Sequence, residues 1–140
     1  MNNEQLFIEI TYDNAKHRRK RGMPTDAPDR PKPGLSTNDL TKTIIKYLNA
    51  RGQYAVRINV LGVYDEKKQQ WRKSTTERGT ADIHACINGK HVSIEVKRGQ
   101  DRMSDQQKIV QEKIEHSGGI YLTISEFVDF HIWYRANITR

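Results

Sequence analysis

The stretch from Gly79 to Lys97, GTADIHACINGKHVSIEVK, constrains the fold more than any other part of this chain. Two apolar-alternating runs flank Asn88-Gly89, and a type I′ turn needs positive φ at both central residues, which this pair tolerates. With Asn88 and Gly89 as the turn, the register predicts Ile87 opposite Lys90, Cys86 opposite His91, His84 opposite Ser93, and Asp82 opposite Glu95. Strand alternation then gathers Ile83, Ala85, Ile87, Val92, Ile94 and Val96 on a core face. Asp82 and Glu95 share the other face, with Lys97 two residues on.

Two carboxylates directly across a strand pair repel, at a cost of about 0.2–1 kcal/mol. A positive partner is therefore expected between them. A hard divalent cation fits, because Mg²⁺ is commonly held by one or two carboxylates with waters and phosphate oxygens completing its shell. Such an ion polarises a phosphate and activates water, while a neighbouring ammonium orients that water or stabilises developing charge. The chemistry implied is metal-dependent phosphodiester hydrolysis. A solvated acidic-basic strand face is the plainer reading of Glu95 and Lys97 alone, and the cross-strand Asp82 weighs against it. His84, Cys86 and His91 also fall on the Asp82 face, which makes a zinc site imaginable, but their spacing matches no common zinc module.

Asp82 followed by Glu95-Val96-Lys97 resembles the PD-(D/E)XK nuclease superfamily. More closely, GTADI, IEVKRGQDRMSDQQ and the later HSGGIYL resemble its virus-type replication-repair nuclease branch, over roughly Leu35 to Phe130. The resemblance implies a restriction-endonuclease-like core and DNA hydrolysis with Mg²⁺ or Mn²⁺, leaving a 5′-phosphate. It makes Asp82 and Glu95 metal ligands, helped by the Val96 carbonyl, and Lys97 the residue that positions water. It gives Gln107 a place beside Lys97, and Arg57 and Asn59 a place near the scissile phosphate. Small stand-alone members of this branch resemble Holliday junction resolvases, so a homodimer acting on branched DNA is expected. Cutting of linear duplex in the manner of a phage or restriction enzyme, and an inactive DNA-binding relative, are the alternatives. One departure stands out: relatives carry a metal-assisting glutamate on the first helix, and no Glu lies between Leu35 and Arg51. Asp39 or Asn38 is the available substitute.

At 140 residues the chain suits one domain. A formal net charge of +7 favours a polyanionic partner. No apolar run approaches the roughly 18 residues of a spanning helix, and the first residues lack a signal-peptide pattern. A membrane role is not expected, and a cytoplasmic location in a bacterium or phage-infected cell is. The single Cys86 excludes an intramolecular disulfide and fits a reducing compartment. Residues 1–34 read as a segment apart from a nuclease-like domain over 35–140. Leu6 to Tyr12 suits a short strand, Lys16 to Arg21 is a basic run, and all four prolines follow it, which describes an arm or linker. The basic run suits phosphate contact or simple solvation.

From Leu35 the signals are local and strong. Ser36 with Asp39 predicts a capping box, and Leu35 with Leu40 its hydrophobic staple; Leu40, Ile44, Tyr47 and Leu48 recur at helical spacing, and Gly52 marks the end. The capping role explains Asp39 without a metal. Tyr54 to Tyr64 reads as a strand. On it, Arg57 and Asn59 line either the solvent side or the site. Asp65 to Arg78 reads as a long polar loop in which Lys67, Lys68, Arg72, Lys73 and Arg78 surround Trp71. That mixture suits backbone tracking and base stacking, although Trp71 tucked against the core would explain it equally.

Arg98 and Arg102 leave the Glu95 strand close to the proposed metal, completing with Arg57, Asn59, Arg72 and Lys73 the expected DNA-contacting set. Ser104 and Gln107 predict a second capping box, so a cap competes with a site role for Gln107. Ile109, Val110 and Ile114 supply an apolar stripe, and Gly118-Gly119 ends the helix. Ile120 to Ile124 suits a buried strand, parallel to the Glu95 strand. Ser125 suits an N-cap for a last helix with Phe127, Phe130, Tyr134 and Ile138 on one face, as core or as a dimer contact. The expected architecture is α/β, a mixed four-stranded sheet flanked by helices in the order αβββαβ plus a C-terminal helix.

Overall fold

The computed structural model describes residues 35–138. The expected strand at Leu6–Tyr12, the basic run and the proline-rich arm lie outside these residues. The first element, α1 (Thr37–Ala50), starts where Ser36 turns its hydroxyl oxygen to the Asp39 N–H at 3.1 Å. The expected capping box is only half formed. Asp is a methylene shorter than Glu, and its carboxylate accepts the Ser36 hydroxyl itself, at 2.8 Å. The helix ends in a Schellman pair, Gln53 N–H to Leu48 C=O and Gly52 N–H to Asn49 C=O, with Gly52 at φ 85°.

Leu40, Ile44, Tyr47 and Leu48 on α1 are at most 2 % exposed. Each such side chain contributes about 1.5–3 kcal/mol on leaving water. They cover one face of a four-stranded sheet of order β1 (Tyr54–Arg57), β4 (Ile83–Ile87), β5 (Lys90–Val96) and β6 (Ile120–Ile124). The first two pairings are antiparallel and β5 to β6 is parallel. Asn88 and Gly89 take φ of 49° and 80°, as a type I′ turn requires, and His84 pairs with Ser93 and Cys86 with His91 in the expected register. All six expected core residues of this hairpin are buried.

The last helix, α3 (Phe127–Ile138), packs its aromatics around Tyr47, whose ring lies 5.4 Å from Phe127, 5.8 Å from Phe130 and 5.4 Å from Tyr134. The three are at most 7 % exposed, so this stripe is core. The helix begins at Phe127, leaving Glu126 rather than Ser125 next to it. The side chain of Ile138 is outside the described residues.

Two expectations between β1 and β4 need correction. The strand beginning at Tyr54 stops at Arg57, and Val63–Asp65 (β2) pairs instead with Gln70–Arg72 (β3) as a separate two-stranded sheet. The supposed polar loop therefore contains half of a hairpin. At the entry to β2 stands Gly62, at φ 37°, where any Cβ would meet the Arg72 carbonyl. The hairpin closes on β3 at a place that only glycine fits.

The second face of the main sheet is polar. Ser93, Glu95 and Tyr121 are buried on it, under helix α2 (Asp105–His116), whose one buried side chain is Val110. Ile109, expected in the apolar stripe, is exposed. With so little apolar contact, α2 depends on its ends. It has a complete Ser104–Gln107 capping box, a Schellman end at Gly118-Gly119, and a 2.7 Å ion pair from Lys113 to Glu77. Gly79 lets the preceding loop approach, since a Cβ there would lie 2.6 Å from the Gln106 carbonyl oxygen.

Candidate active site

The hairpin brings Asp82 and Glu95 together at the end of the sheet, and three donors from neighbouring residues relieve their repulsion. Asp82 precedes β4, anchored by its own carbonyl to the Ile58 N–H at 2.8 Å. Its carboxylate then turns across the strands and accepts the Val96 N–H at 2.9 Å. Glu95, 4 % exposed, receives the Gln107 side-chain amide at 2.7 Å on Oε1, and the Lys97 ammonium stands 3.3 Å from the same oxygen. Lys97 is also 3.5 Å from Asp101.

Gln107 both caps its helix and contacts Glu95. Its amide oxygen accepts the Ser104 N–H at 2.9 Å and its amide nitrogen donates to Glu95. The assignment of O and N is fixed chemically, because one end faces a donor and the other a carboxylate.

Glu95 Oε2 is buried without a hydrogen-bond partner. Burial pushes the Glu95 carboxyl above its ordinary range, Asp82's charge pushes it further, and Lys97, with the Asp82 backbone N–H, opposes both. Tyr121, beside Ser93 in the parallel register, is a site neighbour that sequence reasoning missed. Its hydroxyl is likewise buried and unpartnered, and burial followed by the charges of Glu95 and Asp82 holds it protonated far above the usual phenol range. Alternation from Glu95 through the parallel β6 places it on the site face.

The two carboxylates and the orphaned oxygen suit a hard cation held mainly by water and substrate. Among the described residues, no group of three or more His, Cys, Asp or Glu side chains is placed to hold a metal. His84 instead sets its ring edge-on to His91 at 5.1 Å, and His91 pairs with the Ser93 hydroxyl at 2.8 Å. Burial, then the neighbouring His91, lowers the His84 pKa.

The remaining residues expected at the site are more dispersed. Asp39 is held by Ser36, and Asn38 accepts a hydrogen bond from Arg57, which is on the α1 side of the sheet. Asn59 is a bracket: its side chain accepts the Leu61 N–H, and its carbonyl accepts the Ser74 and Thr76 hydroxyls. Arg98 forks onto Glu126, at 3.1 and 3.3 Å. Arg72 lies 3.6 Å from Asp65, while Lys73 and Arg102 are exposed. Among the described residues, no helix is long and apolar enough to cross a membrane. No protein-family model and no curated protein sequence matches this chain.

Proposed function

We propose that this protein is a metal-dependent DNA endonuclease with a PD-(D/E)XK core, and that Asp82, Glu95 and Lys97 are its catalytic centre. The observation that carries the reading is the buried, unpartnered Oε2 of Glu95, a carboxylate that feels the charge of Asp82 while Lys97 stands at its other oxygen. Such a pair is short of one positive ligand. The order helix, antiparallel three-strand unit, helix, parallel strand supports the superfamily reading.

A bound Mg²⁺ or Mn²⁺ would supply Lewis acidity toward the phosphate and a more acidic water. Asp82 and Glu95 would hold it, with the Val96 carbonyl at the end of β5 as a third oxygen. Gln107 fixes the Glu95 carboxylate from behind, so its free oxygen points to one place. Lys97 donates to the attacking water or a non-bridging phosphate oxygen, stabilising charge as the bond to the 3′ oxygen breaks. The products are a 5′-phosphate and a 3′-hydroxyl. A net charge of +7 suits a DNA substrate.

Selectivity for branched DNA, by a homodimer making paired incisions, rests on the sequence resemblance. The test is cleavage of matched linear, flap and four-way-junction DNAs with Mg²⁺ or Mn²⁺. Paired nicks on the junction support the resolvase form, and equal cutting of linear duplex supports the restriction-type alternative. Salt-sensitive binding without cleavage of any DNA would leave a DNA-binding relative and overturn the enzyme reading.

A further inference from the structure

The β2–β3 hairpin displays what a folded chain ordinarily hides. Trp71 is 72 % exposed, Leu61 81 % and Val63 56 %, and Tyr64 sets its ring edge-on to Trp71 at 5.6 Å. Trp71 therefore does not anchor this segment to the core.

A two-stranded hairpin is marginal in water by itself, yet this one is braced along its length. Asn59 ties the stem by accepting the Ser74 and Thr76 hydroxyls at 2.9 and 3.0 Å. Gly62 allows the close crossing at the Arg72 carbonyl. At the tip, Asp65 accepts the Lys67 and Lys68 N–H groups at 3.1 and 3.2 Å and pairs with Arg72. The aromatic pair is thus presented in advance, with its ordering cost already met in folding. The arm is rooted at the site, because Ile58, at the end of β1, donates its N–H to the Asp82 carbonyl.

Lys67, Lys68 and Lys73 flank the aromatics in the chain and are exposed, while Arg72, exposed on the other face of the hairpin, pairs with Asp65. Cations around an exposed indole match a nucleic-acid strand, whose phosphates meet the charges while a base stacks on the ring. A second copy of the chain fits poorly. A twofold contact here would bring two sets of these cations together, at a cost in like-charge repulsion. In continuous duplex both faces of each base are covered by neighbours. An arm that stacks therefore engages ends, flaps and junctions, where a face is open or cheaply opened.

We propose that the β2–β3 hairpin is a base-stacking arm: Trp71, backed by Tyr64, takes the open face of an unpaired nucleobase and sets a branch point or strand end beside Asp82 and Glu95. The inference deepens the nuclease reading and rests on it for the identity of the substrate, but its test needs no hydrolysis. The chain is titrated, in EDTA, into a flap DNA carrying 2-aminopurine at the unpaired branch nucleotide, and into a paired duplex carrying the same base. Binding of the flap quenches the probe. Trp71→Leu, which keeps apolar bulk but no π face, weakens flap binding about tenfold and leaves duplex binding unchanged, while Trp71→Phe stays within about threefold of wild type. Equal flap affinity for wild type and Trp71→Leu, or equal losses on flap and duplex, would overturn the proposal. So would self-association in sedimentation that Trp71→Leu abolishes. Failure of the nuclease reading itself would show separately, as no hydrolysis by the wild type with metal while the stacking signal persists.

Discussion

Replacing Gln107 separates its two roles. Gln107→Ala removes the amide oxygen from the Ser104 N–H and the amide nitrogen from Glu95 Oε1, contacts of 2.9 and 2.7 Å. The first is half of a capping box, worth about 1 kcal/mol. The second is a bond to a buried carboxylate, worth about 1.5–3 kcal/mol. Ala returns a few tenths through helix propensity, so a net loss of about 2–4 kcal/mol is predicted near neutral pH. In a folded region of this size that lowers Tm by roughly 10 °C or more. Ser104→Ala is the control, since it takes the cap from the Gln107 N–H and leaves the Glu95 contact in place; it should cost about 1 kcal/mol. The two variants also differ in pH dependence. Hydrogen bonding to a carboxylate favours its charged form, so losing Gln107 pushes the already raised Glu95 carboxyl higher. The deficit of Gln107→Ala should therefore be greater at pH 8 than at pH 4, where more of Glu95 is protonated in the folded and unfolded chains alike. Gln107→Glu sharpens the contrast: it keeps an acceptor for the cap but sets a third carboxylate against Glu95, so it should recover stability in acid or with added Mn²⁺. Urea unfolding from pH 4 to pH 8 measures all three. Equal deficits for Gln107→Ala and Ser104→Ala at every pH would show Gln107 to be a cap alone.

Three other predictions concern the same frame. Because the folded state holds the Glu95 proton more tightly than the unfolded chain, this residue's contribution is complete below the ordinary carboxyl range and is lost as pH rises through the folded pKa. Glu95→Gln should flatten that decline in metal-free Tm measurements, and an unchanged slope would contradict the assignment. Tyr121→Phe removes a buried hydroxyl without a partner, so metal-free stability should hold or rise by up to about 1 kcal/mol; a clear loss in urea unfolding would mean the hydroxyl is satisfied. Gly89→Ala meets nothing within 4 Å and should cost only the left-handed backbone penalty, about 1–2 kcal/mol. Gly79→Ala adds a collision with the Gln106 carbonyl and should cost more; the reverse order of denaturation midpoints would refute the close approach of loop and α2.

What the sequence revealed about the fold was local. Asn88-Gly89 dictates its own turn and thereby the register of β4 and β5, and the serines at 36 and 104 mark their helices within a turn. The β2–β3 hairpin escaped because Tyr54 to Tyr64 is β-rich throughout, and composition does not say where a strand leaves its sheet. Gly62 was the one mark, and its meaning depends on Arg72, ten residues away. For the candidate site, strand alternation put Asp82, Glu95 and Lys97 on one face, Gln107 came from the family resemblance with a cap as its competitor, and the structure brings Gln107 and Lys97 onto Glu95. Arg98 was expected near phosphate and is held by Glu126, a contact between residues far apart in the chain that no periodicity encodes. Trp71 had two readings of equal standing, and only tertiary structure distinguishes an anchor from an exposed ring.

The centre itself is tested most directly by nicking of supercoiled plasmid DNA, comparing wild type, Asp82→Asn and Lys97→Ala with Mg²⁺, Mn²⁺ or EDTA, each variant first shown to be folded. The account predicts nicking that requires the divalent ion, leaves 5′-phosphate ends, and falls at least a hundredfold in both variants. Nicking that survives in both folded variants, or proceeds equally in EDTA, would contradict a metal-dependent centre at Asp82, Glu95 and Lys97.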